Sequence, residues 1–126
     1  MIYHNIYNSW SWTGGHADGQ DDPLAVAIKE AREETGLAHI RPAGDELLSL
    51  EILTVKAHVK RGKYVVPHLH LNLTYLLEAD DADAIHIKPD ENSGVKWFAP
   101  EDALSACTEP EMLPIYRKLI ERSAKL

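Results

Sequence analysis

The sequence predicts an α/β chain of the α+β kind, with a mixed β-sheet lying between helices. Three observations lead there. One segment carries a full set of helix start and stop signals. Two later segments alternate apolar and polar residues on either side of a tight turn. The elements run strand, helix, strands, strand, helices, an order that suits a sheet covered by helices. With 126 residues, 44% hydrophobic and 26% charged, the chain is sized for one core, so residues 1–126 are expected to form a single domain.

Met1 to Trp12 is rich in Ile, Tyr and Trp and is expected to be a strand. Thr13 to Gln20 contains three glycines and must be loop. Asp22 is then a good N-cap, Pro23 suits the first helical position, and Gly36 is placed to end the helix. Between them Leu24, Ala27, Ile28, Ala31 and Thr35 recur at spacings of three and four, forming one stripe for burial. A turn around Arg41 to Gly44 follows. Leu47 to Val59 and Tyr64 to Leu77 are expected to form a long hairpin closed by Lys60-Arg61-Gly62-Lys63. In its second strand Leu69, Leu71, Leu73 and Tyr75 point one way and His68, His70, Asn72 and Thr74 the other. Asp80 to Asp83 is an acidic turn, Val95 to Phe98 a short strand, Pro100 to Ala106 a short helix and Pro110 to Ala124 a last helix.

The net charge of −7 disfavours nucleic acid or an anionic membrane as the partner, because both attract Lys/Arg patches. Cys107 is the only cysteine, so no intrachain disulfide forms and an oxidising compartment has no support. No run approaches the ~18 apolar residues of a membrane span and no basic-then-apolar signal opens the chain. A cytoplasmic protein is expected.

The chemistry concentrates on the first helix. Glu30, Glu33 and Glu34 stand at i, i+3 and i+4, which places them within one arc of roughly 100° beside the Ala27/Ala31 stripe. Carboxylates so close repel one another by a few tenths of a kcal/mol per pair even in water. A hard divalent cation with oxygen ligands would relieve them. The bland alternative is a solvated acidic face with Lys29 and Arg32 as helix partners.

The surroundings favour the cation. Gly15-His16-Ala17-Asp18-Gly19-Gln20-Asp21, seven further residues, then Lys29-Glu30-Ala31-Arg32-Glu33-Glu34-Thr35-Gly36-Leu37 resembles the Nudix box, G-x5-E-x7-R-E-U-x-E-E-x-G-U with U aliphatic. Gly15, Glu30, Glu33, Glu34, Gly36 and Leu37 match at the required spacing, and Ala31 stands at the aliphatic position. Asp21 replaces the family's Glu and Lys29 its Arg. Val95 to Leu104 looks like the strand and helix that often follow in the family. Gly14-Gly15-His16-Ala17-Asp18 and His68-Leu69-His70 are similar to one bacterial subgroup of it.

This resemblance implies a Nudix α/β/α sandwich and hydrolysis of a phosphoanhydride in a nucleoside diphosphate linked to another group. Glu33 and Glu34 would bind Mg²⁺, or Mn²⁺, with the Gly15 carbonyl, and Glu30 would bind metal or act as base. A further acid often precedes the late strand, which points to Glu91, with Asp90 behind it; a plain polar turn is the rival reading of that stretch. In the family the Glu and Arg replaced here brace the loop against the helix. Asp21 and Lys29 keep the charges of that ion pair but shorten the acid and lose the guanidinium fork, so a looser brace is expected.

His68 and His70 lack an obvious third ligand and make a poor zinc site. With His16, which follows the Gly15 carbonyl, they are expected to face the substrate phosphates. Trp10, Trp12 and Trp97 are expected in the core, and Cys107 is a small packing residue. Relatives carry more chain ahead of the box glycine than the 14 residues found here, including a strand apparently lacking in this chain. The resulting open sheet edge suggests a homodimer. Two other functions fit the same family resemblance less well. An isoprenoid-diphosphate isomerase needs a reactive cysteine near the site, which Cys107 does not supply. A non-catalytic nucleotide sensor would ordinarily have lost box glutamates, and this chain keeps all three. An unrelated acidic interaction domain would show no response to Mg²⁺ or Mn²⁺.

Overall fold

The computed structural model describes residues 1–44 and 46–126. Strands β1 (Ile2–His4) and β2 (Ser9–Ser11) are followed by helix α1 (Pro23–Thr35) and strand β3 (Ile40–Pro42). Then come β4 (Ser49–Val55), β5 (His58–Lys60), β6 (Lys63–Val65), β7 (His68–Thr74), β8 (Leu77–Ala79) and β9 (Asn92–Val95). Helix α2 (Pro100–Ala106), a single 3-10 turn (Pro110–Met112) and helix α3 (Leu113–Ser123) complete the chain. The α+β character expected from the sequence is what forms.

Helix α1 begins and ends where its local signals require. The Asp22 carboxylate accepts the Ala25 amide proton at 3.2 Å, and Pro23 occupies the first turn, where its missing N–H costs nothing. Gly36 adopts φ 76°, the left-handed region, and its N–H closes on the Arg32 carbonyl at 2.8 Å. The Thr35 hydroxyl donates to the Ala31 carbonyl and accepts from the Leu37 amide, sealing the last turn.

The strands depart from the expected layout in four ways. Residues 2–11 are a hairpin rather than one strand. Asn8 takes φ 50° in its turn, a conformation Asn tolerates, and His4 Nδ1 accepts the Ile6 amide at 3.1 Å. The long hairpin is interrupted: β4 pairs with β7 and β5 with β6 as separate ladders. Pro67 offers no N–H at the break, and the His58 and His68 rings turn back onto the Lys56 and Val66 carbonyls. Its closing turn is as expected, with Arg61 and Gly62 both at positive φ (52° and 76°), the two-residue turn whose twist suits a hairpin. Third, the sheet expected to be mixed is a set of antiparallel ladders, β2-β1-β9, β3-β8, β4-β7 and β5-β6, with no parallel pair among the described residues. Each partner strand runs back along the other, so none needs the crossover that parallel pairing demands. The late strand also lies three residues earlier than expected, starting at Asn92.

Alternation along β4 and β7 holds, and the tertiary structure decides which side is covered. Leu50, Ile52, Leu69, Leu71 and Leu73 are exposed, with Ile52 at 72%. Glu51, His68, His70, Asn72 and Thr74 are half-buried on the other side. Helix α3 holds that polar side: Lys118 pairs with Glu51, and Arg122 Nη1 donates to the Leu48 carbonyl at 2.8 Å. Helix α1 packs on β3 and β9, and α2 on β2. Trp10 stacks edge-on with Tyr3 and Phe98, and Trp12 with Tyr116. Trp97, expected in the core, is 46% exposed and lies two residues beyond the end of β9.

Replacing Gly36 by Ala should lower the free energy of unfolding by about 1–2 kcal/mol, the left-handed penalty for an L-residue. Urea denaturation of Gly36→Ala reads this directly, and an unchanged midpoint would contradict the cap assignment.

Candidate active site

The site forms where the start of the Gly-rich loop, the last two turns of α1 and the segment entering β9 meet. The Gly14 amide donates to Glu34 Oε1 at 2.8 Å, fixing the loop to the helix. Gly15 lies directly against the Glu30 side chain: a Cβ there would overlap its carboxyl carbon. Only glycine leaves room for that carboxylate. From the other side, the Asn92 side-chain amide donates to the Glu34 carbonyl at 2.9 Å, and its oxygen accepts the Lys88 amide at 3.1 Å. Asn92 is almost completely buried, and His86 N donates to the Thr35 carbonyl at 2.8 Å. These bonds carry Glu91 to the helix.

The result is a cluster in which one carboxylate oxygen each from Glu30, Glu34 and Glu91 lies within 4.8 Å of the others. Glu34 is only 3% exposed. Burial pushes its carboxyl up to about 7, opposed in part by the Gly14 hydrogen bond and reinforced by the neighbouring Glu91 and Glu30. Glu30 is raised in the same direction, by burial first and then by Glu33 and Glu91. Three oxygens held this close, two of them on carboxyls raised by desolvation and mutual repulsion, fit a hard divalent cation.

Of the three helix glutamates, Glu33 stands apart. It lies on the more exposed side of the helix, 4.0 Å from Lys29 and 3.7 Å from Lys88. Lys88 also donates to Glu91 at 3.2 Å, and that hydrogen bond raises its pKa. A lysine therefore sits beside the cluster and offsets part of its charge. Neither Lys88 nor Asn92 is marked in the sequence, because nothing local distinguishes them in Ile87-Lys88-Pro89-Asp90-Glu91-Asn92.

The expected brace between Asp21 and Lys29 is a correction. No such ion pair exists among the described residues, and Lys29 turns along the helix toward Glu33. Both residues are exposed. The shorter acid and the unforked amine lose the reach of a carboxylate–guanidinium pair, and the Gly14–Glu34 hydrogen bond ties loop to helix instead.

The three histidines meet. His68 and His70 share one side of β7 with their Nε2 atoms 2.8 Å apart, and the His16 ring stands edge-on to His70 with 5.0 Å between centroids. His16, His70 and Gly15 border a cleft of about 480 Å³ that runs between the loop, β7 and α3. Cys107 is buried, its thiol turned to the Glu109 carbonyl. No helix among the described residues is long and apolar enough to cross a membrane.

Comparison with known proteins gives two findings. A family model described as the NUDIX domain matches residues 3–121. The fold is similar to that of a C. elegans Ap4A hydrolase solved as a binary complex, at 23% identity and a TM-score of 0.66, covering 99% of this chain and 85% of that one. No curated protein matches significantly.

The raised Glu34 has a consequence for stability in the absence of metal. A carboxyl at about 7 in the folded chain and near 4.5 in the unfolded one favours folding most below pH 4.5. That contribution is lost as pH rises through 7, on the order of 2–3 kcal/mol. Thermal melts in EDTA should therefore show Glu34→Gln more stable than the parent at pH 8, with the two converging near pH 4.5. A parent chain as stable as the variant at pH 8 would sink this assignment.

Proposed function

The chain belongs to the Nudix family, and we propose that it hydrolyses a phosphoanhydride bond in a nucleoside diphosphate linked to another group, with Mg²⁺ or Mn²⁺ as cofactor. The observation that carries this reading is the convergence of Glu30, Glu34 and Glu91 against Gly15 at the edge of an open cleft. Glu30, Glu34 and Glu91 would hold the cation with the Gly15 carbonyl, and Glu33 would join them if it exchanged Lys88 for the metal. When bound, a divalent ion supplies Lewis acidity toward phosphoryl oxygens and lowers the pKa of a nearby water.

The chain's own groups do the rest. Water oxygen forms a bond to phosphorus, the bridging P–O bond breaks, and its electron pair leaves with the departing phosphate. Glu30 takes the water's proton in the arrangement where Glu34 and Glu91 hold the cation and leave Glu30 free of it. Glu34 positions the Gly-rich loop through the Gly14 amide. His16, His68 and His70 face the phosphate-bearing end of the substrate, in a loop and strand like those of one bacterial subgroup. The similar C. elegans protein is an Ap4A hydrolase, which makes a dinucleoside polyphosphate a sensible member of the substrate panel. The lone, buried Cys107 suits a cytoplasmic enzyme.

A homodimer is proposed as well. Leu50 pairs across the ladder with Leu73, and Ile52 with Leu71. These four form an uncharged, self-complementary face that a second copy would cover in an isologous contact.

Turnover of nucleoside diphosphate derivatives, read as phosphate-ester release, should require Mg²⁺ or Mn²⁺ and fall by about 100-fold or more in Glu34→Gln. A folded protein that binds Mg²⁺ but turns over no compound would favour the nucleotide-sensor reading. In light scattering, the parent should have the mass of two chains and Ile52→Lys/Leu71→Lys that of one. A monomeric parent would remove the dimer.

A further inference from the structure

The three histidines form a cluster that the carboxylate chemistry does not use. On β7, His68 and His70 are at i and i+2, so both rings leave the strand on the same side. The tautomer of His68 is fixed by its surroundings. Its Nδ1 is 2.8 Å from the Val66 carbonyl, which only accepts, so Nδ1 carries the proton and Nε2 presents a lone pair. That lone pair accepts from His70 Nε2–H at 2.8 Å, so an ion that takes both Nε2 atoms displaces this proton to His70 Nδ1 or to solvent.

No acid sits in this group. Burial first, and then His16, His68 and His58, push the His70 imidazole below the usual histidine range. The neutral form of an imidazole is the one that ligates a metal, and the direction of the His70 shift favours it.

We infer that His68 and His70, with His16 from the Gly-rich loop, form a second cation site that takes a nitrogen-preferring divalent ion such as Zn²⁺ or Co²⁺. Two nitrogens on one tetrahedral zinc stand roughly 3.3 Å apart, as Zn–N bonds of about 2.05 Å require. The His68–His70 pair needs to open by only about half an ångström. His16 is exposed on its loop, with its ring edge-on to His70, and its nitrogens stand farther from the pair than one ion can span, so the loop has to turn His16 inward for it to become the third ligand. This third ligand is what the sequence did not reveal, because His16 lies 52 residues before His68. Three imidazoles leave a coordination position for water or for an anionic group in the adjoining cleft.

The two sites differ in donor chemistry. The glutamates offer hard oxygens suited to Mg²⁺, and the histidines offer nitrogens on which Mg²⁺ does not compete. The test of the histidine site uses no substrate, so its failure leaves the hydrolase reading standing.

Co²⁺ is titrated into the whole protein in excess Mg²⁺, following the visible d–d absorption and, for Zn²⁺, the heat of binding. A single ion should bind with the band intensity of a four- or five-coordinate nitrogen site. Affinity should fall by about 100-fold in His68→Ala/His70→Ala and by about 10-fold in His16→Ala. Glu30→Gln/Glu34→Gln should bind as the parent does. In the unsubstituted protein, imidazole resonances of His16, His68 and His70 should shift together on adding Zn²⁺, a readout that needs no variant to fold. Absence of binding in excess Mg²⁺, binding that survives the double histidine variant, or Zn²⁺ shifts confined to other histidines would overturn the site.

Discussion

Glu34 is a charged residue on the inward face of α1, where it keeps 3% of its surface, and its neighbours answer that burial. A carboxylate taken out of water must be hydrogen-bonded, paired with a cation or protonated. Gly14 supplies one hydrogen bond, Lys88 stands near enough to lower the pKa slightly, and desolvation still drives it to about 7. The same requirement accounts for Gly15, whose missing side chain lets Glu30 lie against the loop. It accounts for Asn92 too, which is spent on the backbone of Glu34 and so holds the third acid in reach. The metal-free chain carries this cluster at a cost, which the proposed cation would offset. Metal affinity and folding stability are therefore coupled through one residue.

The β4–β7 ladder shows a second constraint. Its two sides are chemically distinct, and α3 engages the polar one through Lys118 and Arg122. The leucine side is left to solvent. An isolated ladder with this arrangement is unusual, because the apolar side ordinarily gains most from burial. Placing the polar side inward delivers His68 and His70 to the same region as the Gly-rich loop. It also leaves an apolar surface that accounts for the proposed self-association.

Much of α1 was legible because its determinants are local. Asp22, Pro23 and Gly36 act within a turn of their own positions, and the stripe through Ala27 and Ala31 needs only the helical period. The Arg61-Gly62 turn was legible for the same reason. The interruption at Pro67 went unread because the leucines that follow it suggested one continuous strand from Tyr64 to Leu77. The hairpin at residues 2–11 escaped notice because Asn8 in a left-handed conformation is a property of the turn, and the surrounding Ile, Tyr and Trp residues favour strand whichever way the chain runs.

For the site, the sequence determined which residues bear acid and at what helical spacing, and it singled out Glu91, His16, His68 and His70 as chemistry-bearing. Those are facts of residue type and period, and neither depends on distant chain. Tertiary structure alone decided which of them meet. It drew Glu91 rather than Glu33 to the Glu30–Glu34 pair, gave Glu33 to Lys88, and brought His16 against His70. The physical reason is that each choice is a competition between partners tens of residues apart. Such a competition is settled by the backbone hydrogen bonds of Asn92 and His86 to the end of α1 and by the burial they enforce.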